Sequence, residues 1–86
     1  MERQLLDVIA VEARPDHSLH LTFENGEKRV FDMRHLLTKP PFHRLRESPL
    51  FMLAKVGYGT VIWPGNIDIA PETLYDQSRP ADKNGG

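Results

Sequence analysis

Three carboxylates are of a type and spacing that could do chemistry. Asp68 and Glu72 flank Pro71, so they would meet near the start of a helix. A pair placed there serves as general acid and base or holds a cation. The plainer use is to cap that helix and complement its dipole. Asp32, just ahead of Met33–Leu37, reads the same way, as an N-cap. The four histidines do not form a motif. His17 and His20 are three apart, so on an extended strand they face opposite ways. The Pro40-Pro41 break separates His35 from His43. A metal centre needs converging ligands, so neither a metal nor a cofactor is expected. Trp63 and Tyr75 are the aromatic candidates for stacking a ligand or anchoring a partner. Trp63 reads as core, and Tyr75, near a helix end, is balanced between the two uses. No nucleophile elbow, phosphate loop or nucleotide fingerprint is present, and Ser48 and Ser78 have no adjacent base.

Charge is the more informative pattern. The 86 residues carry a net charge of −1. Yet Lys28–Arg46 holds six bases (Lys28, Arg29, Arg34, Lys39, Arg44 and Arg46) against one acid, Asp32. Pro64–Ser78 holds three acids and no base. A polarised surface of this kind suits an acidic protein partner, with Arg34, Lys39, Arg44 and Arg46 as the residues that would meet it. The alternative is a solvated basic face, or one paired with the acidic segment within the fold or across a homodimer. Nucleic acid is less favoured. The overall charge is near neutral, no recognition motif occurs, and only Phe31 and Phe42 interleave with the bases.

The elements that must position these residues are short. Leu5–Ala13 is almost continuously apolar and β-branched, which predicts a strand covered on both faces or central to a sheet. Arg14-Pro15-Asp16 ends it. Ser18–Glu24 alternates with period two, and Asn25-Gly26 then signals a hairpin. A two-residue turn would set Leu21 against Val30 and Phe23 against Lys28. Short helices are expected over Met33–Leu37 and near His43–Glu47, with Ser48-Pro49 opening another turn. Ala54–Val56 and Thr60–Trp63 read as strands either side of a tight Gly57-Tyr58-Gly59 turn. Pro64-Gly65-Asn66 breaks the second of them, and Ile67–Ile69 is short and alternating. Pro71 suits the first position of a helix over Glu72–Gln77.

The fold class predicted is therefore α+β in two layers, in the order β-β-β-α-β-β-α. The sheet would be five-stranded, antiparallel or mixed. One domain spans residues 1–77, and 78–86 reads as a disordered polar tail. The absence of cysteine removes disulfides and thiolate zinc sites. Apolar runs are too short for a transmembrane helix. No cleavable apolar leader is apparent at the start. A cytoplasmic protein without membrane contact is expected.

Two segments carry a family resemblance. Leu21-Thr-Phe-Glu-Asn-Gly-Glu-Lys-Arg-Val-Phe-Asp32 and Trp63-Pro-Gly-Asn-Ile-Asp-Ile-Ala-Pro-Glu-Thr-Leu-Tyr75 resemble the motifs of the small bacterial family called domain of unknown function 2442. The likeness extends over roughly residues 5–76. Gly26, Asp32, Trp63, Asp68, Pro71, Glu72 and Tyr75 stand at its motif positions. Gly65-Asn66 reverses the family's usual order, which a turn tolerates. The resemblance implies a compact α+β domain with no assigned activity. Some relatives are thought to sit beside another small protein in a toxin–antitoxin-like pair. The function expected is thus a non-enzymatic protein-interaction module, its partner a second copy or the product of a neighbouring gene. The alternatives are a small ligand-binding or catalytic domain using Asp32, Asp68 and Glu72, and nucleic-acid binding through residues 28–46.

Overall fold

The computed structural model describes residues 6–81. Strand β1 (Val8–Ala13) pairs antiparallel with β2 (Ser18–Phe23), β2 with β3 (Lys28–Asp32), and β3 with the short β7 (Arg79–Pro80). A second antiparallel sheet is made of β4 (Lys55–Gly57), β5 (Thr60–Trp63) and β6 (Ile67–Ile69). Between the sheets the chain turns through 3-10 segments at Arg34–Leu36 and Phe42–Arg46 and a single turn of helix, α1 (Ser48–Phe51). Helix α2 (Pro71–Asp76) follows β6, with its proline in the first turn as expected.

The single five-stranded sheet is therefore overturned. The described residues form two sheets, of four and three strands, with only short helices. The expected count leaves out β6, whose three residues alternate but are few, and β7, whose two residues are too short to display a period. Residues 79–80 belong not to the expected tail but to the fold: they pair with β3, and Ala81 N–H bonds the Lys28 carbonyl at 2.9 Å. Residues 82–86 lie outside the described residues, as do the first five. Strand β1 is also an edge, neither central nor covered on both faces. Its register shifts between Val8 and Ala10, and Ile9 at this bulge is 58% exposed.

The β2–β3 hairpin corrects the expected register. Leu21 faces Arg29 and Thr22 faces Lys28, so the loop has three residues, Glu24-Asn25-Gly26. Only Gly26 has positive φ, +89°, which is a type I turn closed by a left-handed residue. Asn25 Oδ1 accepts the Glu27 N–H at 3.0 Å and fixes that turn. The β1–β2 loop uses the same device with His17 in the left-handed position, φ +65°. Sliding the pairing by one residue turns Glu27, Arg29 and Phe31 onto the inner face, alongside Leu19, Leu21 and Phe23.

One apolar cluster unites both sheets. Leu19, Leu21, Phe23 and Phe31 come from the first, and Val61, Trp63, Ile67 and Ile69 from the second. Val8 from β1, Met33, Leu37, Leu45 and Phe51 from the connection and Leu74 from α2 complete it. The sheets also join through the backbone, where Val8 N–H donates to the Gly59 carbonyl at 2.9 Å. Within the second sheet, the buried Thr60 hydroxyl donates to the Ile69 carbonyl. Thr60→Val removes this donor without changing shape and is expected to cost about 1–2 kcal/mol, read as a lower urea midpoint at constant m. No helix of the described residues is long and apolar enough to cross a membrane.

Candidate functional site

The outward face of the second sheet forms a groove of about 620 Å³. Its floor follows from register. Lys55, Ile62 and Asp68 stand directly opposite one another on β4, β5 and β6, so their side chains share one face. Lys55 and Asp68 thus flank a central Ile62. Beyond Ile62 the strand offers no side chain at Gly57, and Ile62 Cδ1 folds to within 2.5 Å of where a Cβ would stand. Leu53 and the Pro64-Gly65-Asn66 turn close one end, and Tyr58 stands at the other. Leu53 is half exposed.

Tyr58 is the unusual residue. It and Gly59 form the two-residue turn between β4 and β5, with φ of +55° and +76°. This is the mirror-image turn that fits strand twist, and its first position ordinarily takes Asn, Asp or Gly. A bulky side chain there is strained. The ring gains nothing from folding, being 98% exposed. Sequence reasoning missed it, although a tyrosine between two glycines at a hairpin tip was the available signal.

The expected site residues are distributed as follows. Asp68 lines this groove. Asp32 lies across the molecule on the outward face of the first sheet, among Arg14, Asp16, His20 and Arg79. Glu72 is exposed in the first turn of α2 and makes no cap bond there. The three carboxylates do not share a cleft. Asp32 accepts the Arg34 backbone N–H at 2.9 Å and grips its guanidinium at 2.8 Å. The N-cap of the 3-10 turn at Arg34–Leu36 is Met33, without a side-chain cap bond, and Asp32 stands one residue before it, bonding the N–H of the turn's first residue. Trp63 is core, 3% exposed, with its Nε1–H donated to the Phe51 carbonyl at 3.0 Å. Gly26 and Pro71 serve the hairpin and the helix start. His17 packs on Phe51 and His35 on Phe31. Among the described residues no three His, Asp or Glu gather as metal ligands.

The basic segment divides. Arg34 is held by Asp32, and Arg29 by Glu27 and Ser78. Lys39, Arg44 and Arg46 are exposed and pair with no acid among the described residues. Arg44 reaches the groove, its Nη2 lying 3.1 Å from where a Cβ of Gly65 would stand.

Tyr75 belongs to a fastening that sequence reasoning did not foresee. Arg29 stacks over its ring at 4.5 Å, and Phe23 meets it edge-on at 5.1 Å. The Tyr75 hydroxyl donates to Glu27 Oε1 at 2.6 Å. That donation, joined by Asn25 and Arg29, holds the Glu27 carboxyl below its usual range, and the same bond raises the tyrosine. Arg29 Nε and Nη2 donate to the Ser78 hydroxyl and carbonyl at 2.7 and 2.8 Å.

The Arg34 hydrogen bonds hold the Asp32 carboxyl down at about 2. A depressed folded-state value stabilises above the unfolded carboxylate range and is lost as pH falls from about 4 towards 2. Asp32→Asn should therefore flatten the acid limb of stability in that window. The pair is largely exposed, so the loss at neutral pH should be small, within about 1 kcal/mol. A thermal-unfolding series from pH 2 to 7 measures both.

The sequence profile of the family described as protein of unknown function (DUF2442) matches residues 8–80. No curated protein and no solved structure matches the chain.

Proposed function

The chain belongs to the DUF2442 family, and for it we propose the role of a non-catalytic protein-binding module that works through the outward face of its second sheet. The observation that carries this is Tyr58, an aromatic ring wholly in solvent on a left-handed backbone. Folding would favour a smaller polar residue there. Its presence fits a binding role, since exposed tyrosines at the lip of a groove supply large contact area at low entropic cost. Arg44 at the opposite end supports a preference for acidic groups just outside the groove. The dispersal of Asp32, Asp68 and Glu72 weighs against an acid–base site built from them. A bacterial cytoplasmic setting, with a neighbouring-gene product as one class of partner, is part of the proposal and rests on family resemblance.

The test compares cross-linked capture from native cells by the wild-type chain and by Tyr58→Asn. Proteins held by the first and released by the second support the reading. The same proteins held equally by both overturn it.

A further inference from the structure

The groove is self-complementary in charge. Across its floor run Lys55, Ile62 and Asp68, positive to negative about an apolar centre. Neither charge is paired within the described residues. Two such faces can meet about a two-fold axis lying between them. If the axis crosses the strands, Lys55 meets Lys55 and Asp68 meets Asp68. If it runs along β5, each Lys55 meets the Asp68 of the other copy, and the two Ile62 side chains meet at the centre. The two Tyr58 rings then fall at the same end, close to the axis. A two-fold interface needs this pattern, residue i on j and j on i. Sheets stacked with aligned strands about 10 Å apart supply the spacing.

We propose that a second copy of this chain occupies the groove, face to face, about a two-fold axis along β5, with two Lys55–Asp68 pairs flanking the Ile62 contact. This rests on the protein-binding reading and names its partner. A three-stranded face of this length falls below the roughly 800 Å² per partner of standard complexes. The dimer is therefore a reversible one, in the micromolar range or weaker.

Sedimentation equilibrium of the intact chain up to about 1 mM, with far-UV circular dichroism as the folding control, provides the test. Wild type should show a mass rising with concentration to that of two chains. Lys55→Asp and Asp68→Lys each create two like-charge contacts and should weaken the dimer at least about tenfold. The double variant Lys55→Asp/Asp68→Lys should restore it. An equimolar mixture of the two single variants should pair better than either alone. A heterologous partner would be rescued by neither. A chain that stays monomeric at every concentration, or a dimer indifferent to the single reversals, overturns the proposal. If that monomer still captures protein through Tyr58, the wider binding reading stands and only the second copy is lost. If capture is lost as well, both fall.

Discussion

Arg29→Met is expected to lower stability by about 3 kcal/mol and to release the C-terminal end of the domain before the rest. The reasoning is local. Arg29 sits on the inner face of β3 with its side chain only 13% exposed. Its guanidinium donates twice to Ser78 and covers the Tyr75 ring. Methionine keeps the apolar stem but withdraws every donor. The Ser78 carbonyl then loses a charge-assisted bond, worth roughly 1.5–3 kcal/mol, and the stacking over Tyr75 adds about 0.5–1. Helix α2 buries only Leu74 fully, and β7 pairs through two residues. Neither holds well without Arg29. Hydrogen exchange should show amides of residues 74–81 losing protection first, while those of β2 keep theirs. Uniform loss across both sheets would contradict this arrangement.

Tyr58→Asn should act in opposite directions on stability and on binding. Asparagine accepts the left-handed backbone, and with Gly59 it makes the most favoured pair for this turn. Relief of strain should stabilise the domain by about 1 kcal/mol, which raises Tm by roughly 4–8 °C in a domain of this size. The same change removes the exposed ring. If Tyr58 anchors the bound protein, affinity should fall by about 2 kcal/mol, roughly thirtyfold. Calorimetry of unfolding and a binding titration together make the measurement. A variant no more stable than wild type would show that Tyr58 does not strain the turn.

Parts of this were legible in the sequence. Thr60–Trp63 was read to its exact bounds because four β-branched or aromatic residues lie between clear turn signals. Helix α2 was found from Pro71 and lasts one residue less than expected. Asn25-Gly26 announced the hairpin but not its register, since the pair serves a three-residue loop as well as a two-residue one. That single residue matters. It moved Arg29 from the expected basic surface to the inner face and created its link with Ser78 and Tyr75. Strand β7 has two residues, too few for periodicity to register, and the three of β6 alternate but do not by themselves separate a strand from the turn before it. The apolar run of β1 reads as covered on both faces or central, but its edge position depends on which strands pair, and that is a tertiary fact. The groove was illegible for the same reason. Lys55, Ile62 and Asp68 become neighbours only through the pairing of three strands. Exposure, which singles out Tyr58, is written nowhere in residue type.

The bulge in β1 has a consequence for how copies of this chain can aggregate. A regular edge strand is an open template, and strands added to it end to end grow without limit. Here the shift between Val8 and Ala10 breaks the donor–acceptor rhythm near the start of the strand, and Val8 has already spent its N–H on Gly59. A strand docking along β1 would fall out of step within a few residues. Growth through this edge is thereby self-limiting. The pairing proposed for the second sheet's face would, by contrast, use the same patch on both copies and leave no free patch behind. At β1, then, one extra residue in one strand is what sets the limit on open-ended growth.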